Sequence, residues 1–290
     1  MGLIDEFLEY LKVVKKHSDL TIKNYEIDLH HFYEYQNGNI HLNKEQINNY
    51  LEKLYEEKLS KSTISRKLSA LRTFNKYLLD KGIIKENYFT NFKNPKKEAH
   101  LPKYVKDTDI DKMFLIPDTK NPLGKRNLAI IRLLYATGLR VSELVNIQLK
   151  DINLQDRTIR VFGKGSKERI VIFGYHSKEA INDYIKNGRI FLDKKSSSYL
   201  FLNKDGNRLS DRYIRKIIDD IIIKASIEFH VSPHMLRHTF ATVMLNNGLD
   251  LVSVKNLLGH SSLNTTSIYT HVSEEQIKKV YNSAHPRAHT

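Results

Sequence analysis

Apolar residues recur at helical spacing through most of this chain, and only one stretch reads clearly as β-structure. Along Thr21–Gln36, Ile22, Tyr25, Leu29 and Phe32 follow one another at intervals of three and four, which places them on one helical face. Asn37-Gly38 stops that run. Ser62–Ile84 repeats the pattern with Ile64, Leu68, Leu71 and Leu78, and Ser62 or Thr63 is placed to cap it. Arg66, Ser69 and Thr73 fall on another face of the same helix. The first part of the chain therefore predicts a small helical bundle. Its Arg66, Lys67 and Arg72 are candidate phosphate contacts, against the plainer alternative of a solvated charged face.

Periodicity fails across Asn91–Asp109, where Asn94-Pro95-Lys96-Lys97 and Leu101-Pro102-Lys103 combine turn residues with basic charge. This predicts a domain over residues 1–93, a linker over 94–104 and a second domain over 105–290. Helical spacing resumes from Asp107 to Phe114 and again over the apolar Asn127–Ala136. Arg157–Phe162 and Arg169–Phe173 are rich in β-branched and aromatic residues, and the intervening Gly163, Lys164, Gly165 and Ser166 predict a hairpin. From Ser210 onward the pattern is helical once more. The predicted fold class is mainly α, with a small β-hairpin in the second domain. There are no internal repeats or low-complexity tracts.

Charge sharpens this picture. Among the chain's 290 residues the formal net charge is +14. Residues 1–98 carry 17 Lys and Arg against 14 Asp and Glu, whereas residues 99–290 carry 30 against 19. An excess concentrated in the second domain attracts polyanions, of which nucleic acid is the commonest. The absence of cysteine excludes disulfides, thiolate catalysis and cysteine–zinc sites. No stretch has the length of a transmembrane helix, and the opening segment through Asp5, Glu6 and Phe7 is acidic where a signal peptide would be basic. A cytoplasmic, nucleoid-associated protein with no membrane partner is expected.

Four segments of the second domain carry candidate chemistry. Thr137-Gly138 predicts a tight turn, with Arg140 at the start of a helix behind it and Glu143 three residues on, able to hold the guanidinium from behind. Read alone, this is an ordinary helix-surface ion pair. Lys164 sits at the glycine-flanked hairpin tip, where a lysine can approach DNA and release a proton once desolvated; Lys167 and Arg169 read as DNA-contacting or solvated charges. Ser232-Pro233 predicts a helix start, with Leu236, Phe240 and Val243 facing a core and His234 and Arg237 sharing the other face. His234 and His238 have the spacing of metal ligands, but Met235 stands where a zinc protease has glutamate, so His238 reads as structural. Asp250 caps a short helix that Gly259 ends; His260 follows at once, and Tyr269 lies nine residues later.

In order, spacing and residue type, Arg140, Lys164, His234, Arg237, His260 and Tyr269 resemble the catalytic set of the tyrosine site-specific recombinases, the phage integrase family. The ending Val280–Ala288 is similar to that of its bacterial Xer type. The resemblance implies a helical, SAM-like DNA-binding domain and a catalytic domain that close as a clamp on double-stranded DNA with inverted half-sites. It also implies Tyr269 as nucleophile, a 3′-phosphotyrosine and Holliday-junction intermediate, and no metal, ATP or other cofactor. Self or a paralogous recombinase would complete a cyclic tetramer on DNA, with the segment around Ile277, Val280 and Tyr281 docked on a neighbouring subunit, whereas periodicity alone fits equally a helix packed on its own domain. Chromosome or plasmid dimer resolution with an FtsK-like translocase is the associated role. The rivals are an integrase or excisionase of a phage or conjugative element, a type IB topoisomerase, a DNA-binding protein of this fold without strand exchange, and a metal-dependent nuclease.

Overall fold

The computed structural model describes residues 2–39, 42–90, 92, 104–163, 168–259 and 274–288, with only the backbone of 274–277. It divides into two compact units, residues 1–100 and 101–290. The first unit contains α1 (Leu3–Val13), α2 (Asp19–Tyr35), α3 (Lys44–Glu56) and α4 (Lys61–Asp80). The predicted stripes supply its core: Leu29 and Phe32 from α2, and Ile64, Leu68, Leu71 and Leu78 from α4, pack with Phe7, Tyr50 and Phe74. The cap of α4 is Ser60, whose Oγ accepts the Thr63 N–H at 3.1 Å, rather than Ser62 or Thr63. The helix begins earlier than its apolar stripe, because a first turn with no core to face has no hydrophobic signal.

The second unit opens with α5 (Asp107–Leu115) and α6 (Pro122–Thr137). The sequence pattern predicts α6 from Asn127; the helix starts at Pro122, with Asn121 Oδ1 accepting the Gly124 N–H at 2.8 Å. Gly124 is obligatory there, since a Cβ would stand 1.8 Å from the Asp118 carbonyl oxygen. The short α7 (Val141–Asn146) follows, then β1 (Ile152–Asn153), β2 (Thr158–Phe162) and β3 (Glu168–Ile172). These form an antiparallel sheet in the order β1-β2-β3, with Val161 opposite Arg169 and Phe162 opposite Glu168. The two-residue β1 was not legible as a strand.

Next come α8 (Tyr175–Tyr184), α9 (Ile190–Leu192), α10 (Asp211–Lys224), α11 (Pro233–Asn246), α12 (Leu251–Leu258) and α13 (Glu274–Ala284). The main core gathers α6, α7, the sheet, α8 and α10 around residues such as Leu134, Leu144, Ile159, Ile181 and Ile218. A smaller cluster joins Ile172, Phe240, Met244, Val254 and Leu258 to Tyr281, Ala284 and Ala288. Within the single chain, the helix for which the resemblance implied docking on a neighbour thus packs Tyr281 and Ala284 on its own unit. The reason is burial of the Tyr281 ring, which is 1% exposed.

Candidate active site

α6 ends in a left-handed turn at Gly138 (φ 58) that aims the chain back across α11 and α12. A Cβ at this position would lie 2.8 Å from both Leu258 Cδ2 and Phe240 Cδ1, so the close approach as well as the dihedral calls for glycine. Leu139 is buried beyond the turn, and Arg140 becomes the extended residue preceding α7. Glu143 folds back onto it. Glu143 Oε2 accepts the Arg140 backbone N–H at 2.8 Å, and Oε1 accepts Arg140 Nη1 at 2.9 Å. The predicted Arg140–Glu143 pairing is therefore present, with the carboxylate capping the helix and holding the guanidinium at once.

Glu143 has a second partner that sequence reasoning missed. Arg169, on β3, grips it with two donors: Nη1 to Oε1 at 2.7 Å and Nη2 to Oε2 at 2.9 Å. The Arg169 side chain is 15% exposed and that of Glu143 only 3%. Expected as a DNA-contacting or solvated charge, Arg169 is instead committed to a nearly buried bidentate pair. Burial by itself would raise the Glu143 carboxyl, but the hydrogen bonds and charge of Arg169, with those of Arg140, outweigh it and hold the group below the usual carboxylate range.

Ser232 Oγ caps α11 by accepting the Met235 N–H at 3.2 Å, with Pro233 in the first turn as predicted. Leu236 and Phe240 enter the core, and Val243 is half-buried. His234 is exposed, whereas Arg237, expected to share its face, is 8% exposed. Arg237 Nη1 donates to the Gly138 carbonyl and Nη2 to the Leu258 carbonyl, each at 2.6 Å. These bonds tie the end of α6, the end of α12 and α11 to one guanidinium. Burial, then the neighbouring charge of Arg140, pushes Arg237 down to about 10; Glu143 opposes the shift and Arg169 adds to it. Three guanidiniums thus gather around one carboxylate and leave a net positive field, suited to an anion whose charge grows during reaction.

Lys164, Lys167, His260 and Tyr269 lie outside the described residues. Described backbone flanks the first three: β2 and β3 end on either side of residues 164–167, and Gly259 turns left-handed (φ 65) immediately before His260. Among the described residues no group of three or more His, Cys, Asp or Glu side chains is placed to hold a metal ion. His238 is half-buried on α11.

The first unit corrects one phosphate-contact expectation. Lys67, with a side chain 8% exposed, faces the buried Asp28 carboxylate at 3.6 Å and is an internal counter-ion. Burial raises the Asp28 carboxyl, while Arg66 and Lys67 pull it back. Arg66 hydrogen-bonds the same carboxylate but keeps its side chain 42% exposed. Arg72 is half-buried, with Nη2 donating to the Phe92 carbonyl at 3.1 Å and its guanidinium 5.4 Å from the Phe89 ring centroid.

Comparison with known proteins bears on this geometry. Residues 103–276 match the phage integrase family, and residues 4–82 match the phage integrase N-terminal SAM-like domain. The chain is 43% identical to the tyrosine recombinase XerC of Bacillus pumilus (strain SAFR-032), across 99% of this chain and 97% of that protein. It is 42% identical to the XerC of Bacillus subtilis (strain 168), across 97% and 95%. Among solved structures, the XerH site-specific recombinase bound to palindromic difH substrate in a post-cleavage complex aligns with a TM-score of 0.71 at 25% identity, covering 96% of this chain and 83% of that one. With both domain matches in register with the two units, and with relatives similar from end to end, this chain belongs to the phage integrase family, the tyrosine recombinases, and within it to the Xer type.

Proposed function

We propose that the protein is a site-specific DNA recombinase that cuts and rejoins duplex DNA through a covalent tyrosyl intermediate. The observation that carries this reading is the Arg140–Glu143–Arg169 cluster with Arg237 beside it. A pre-ordered pair of guanidiniums, Arg140 with its side chain 35% exposed and Arg237 buried, matches the charge of a phosphodiester passing through a five-coordinate transition state. In this reading the Tyr269 phenolic oxygen attacks the scissile phosphorus and gives up its proton to His234. Arg140, Arg237 and His260 hold the non-bridging oxygens. The 5′ oxygen leaves as a hydroxyl, taking its proton from Lys164, and the phosphate remains on Tyr269 as a 3′-phosphotyrosine. The 5′-hydroxyl of a partner strand then attacks that ester, releases the phenol and joins the strands by way of a Holliday junction. Bond energy is kept in the ester throughout, so the exchange needs no nucleotide hydrolysis.

Similarity to XerC proteins over nearly the whole chain supports dimer resolution of chromosomes or plasmids as the role. The partners that follow are duplex DNA with inverted half-sites, further copies of this chain or a paralogue in a cyclic tetramer, and a DNA translocase of the FtsK type. In such a ring each tail would pass to the next subunit, exchanging the packing of Tyr281 on its own unit for equivalent packing on a neighbour. The boundaries that accompany this reading are a DNA-binding domain over 1–93, a linker over 94–104 and a catalytic domain over 105–290. The decisive experiment uses a nicked suicide duplex and a denaturing gel. Wild type should yield a slow-migrating protein–DNA band, and Tyr269→Phe should bind the duplex equally well yet yield none. A covalent band from the Tyr269→Phe protein would overturn Tyr269 as nucleophile.

A further inference from the structure

We infer that Arg169 is a positioning residue for the cleavage step, acting through Glu143 on Arg140, and that it does not bind phosphate. The inference rests on the recombinase reading above and extends it to a residue outside the six-residue set. Its ground is the way Arg169 is used up. Both Nη atoms bond the two oxygens of one carboxylate, at 2.7 and 2.9 Å, a fork-on-fork geometry that leaves the guanidinium plane no freedom to swing toward DNA. On its other side stands Gly259, where a Cβ would lie 2.9 Å from Arg169 Cδ and 3.0 Å from Nε and Nη1. The arginine is thus wedged between a carboxylate and a bare stretch of backbone.

This wedge closes a ring of contacts. Glu143 holds Arg140 by its backbone N–H and by Nη1. Two residues before Arg140, the Gly138 carbonyl holds Arg237, which also takes the Leu258 carbonyl, and Leu258 precedes Gly259. Arg169 completes the circuit from β3. Its place opposite Val161 puts it one pair before the end of the ladder, where Phe162 faces Glu168. Without Arg169, the Glu143 carboxylate keeps Arg140 as its single hydrogen-bonded cation and can rotate to follow it. Arg140 is then drawn toward its carboxylate and away from the phosphate. A displacement of about 1 Å in a catalytic contact costs on the order of 10²-fold in rate while leaving most binding contacts intact. A phosphate-gripping arginine behaves differently: its loss weakens binding across sequences and lowers the salt slope by about one.

The experiment compares full-length wild type, Arg169→Gln, Arg169→Lys, Glu143→Gln and the Arg169→Gln/Glu143→Gln double variant. The substrate is a nicked duplex bearing a site selected by the wild-type chain from random-sequence DNA. Affinity is measured across a salt series, the single-turnover rate of covalent-complex formation is measured at saturation, and thermal unfolding monitors the fold. Expected for Arg169→Gln are affinity within about 3-fold of wild type, an unchanged salt slope, and a covalent step slower by on the order of 10²-fold. The double variant should be no slower than the worse single variant, because both changes break one link. Arg169→Lys, which keeps a charge on Glu143 without the fork, should recover part of the rate. A reduced salt slope with a matching loss of affinity, or multiplicative losses in the double variant, would overturn the inference. So would a wild-type rate in a folded Arg169→Gln protein. Should Arg169→Gln unfold, the Arg169→Lys rate at saturation decides alone, with full wild-type activity counting against the fork. Failure of the recombinase reading has another signature, the absence of a covalent band from wild type.

Discussion

Acidification should loosen the packing of the C-terminal helix through a single histidine. His285 follows α13 and is 3% exposed. Its ring stacks on Tyr281 at 4.9 Å between centroids, meets the Tyr135 edge at 5.5 Å, and its Nδ1 accepts the Arg287 backbone N–H at 3.1 Å. Burial pushes the imidazole down to about 4; the nearby Tyr135 backbone opposes this shift and the Arg287 charge adds to it. The folded value lies below the ordinary 6.5, so between those limits the unfolded chain binds the additional proton. Stability is therefore complete above about pH 6.5 and falls as the pH is lowered toward 4. At ~1.4 kcal/mol per unit the full shift corresponds to about 3 kcal/mol, and about 2 kcal/mol or more should be lost by about pH 4.5. His285→Phe keeps a ring for Tyr281 and removes the titration. It also leaves the Arg287 N–H without its acceptor, a cost that does not depend on pH. Urea unfolding followed by circular dichroism, at intervals between about pH 7 and 4.5, isolates the histidine as the difference in slope between wild type and variant. Parallel stability curves would show that the imidazole is not held neutral, and would refute this account of how the tail is anchored.

Two further outcomes test the site. With sulfur replacing the bridging 5′ oxygen, the leaving group has a pKa near ~8.5 and scarcely needs a proton. Lys164→Ala should cleave that substrate at close to the wild-type rate while Arg140→Ala stays impaired, and equal, unrescued defects would reduce Lys164 to a phosphate ligand. Gly138→Ala forces a side chain into a left-handed backbone and against Phe240 and Leu258. It should lose about 2–4 kcal/mol of stability from the combined strain and overpacking, together with covalent-complex formation, because the Gly138 carbonyl that holds Arg237 must move. Unchanged thermal unfolding would contradict it.

Local physics made much of this protein legible in its sequence. The helical stripes at Ile22–Phe32 and Ile64–Leu78, the Ser232-Pro233 start and the Asp250 and Gly259 ends of α12 are near-neighbour properties, governed by 3.6-residue periodicity and by capping within a turn. The Arg140–Glu143 pair was legible for the same reason, since the residue before a helix and the third residue within it are adjacent in space. Helix beginnings were misplaced at Ser60 and Pro122, where capping residues precede any apolar stripe. Long-range partners were invisible. Nothing near Arg169 in sequence indicates that its counter-ion lies 26 residues away, or that Arg237 will reach carbonyls 99 and 21 residues distant. Lys67 likewise reads as a surface cation until α2 brings Asp28 against it. A charge declares its type in the sequence, but whether it faces water, DNA or a buried carboxylate depends on desolvation, which only the packing of distant segments decides.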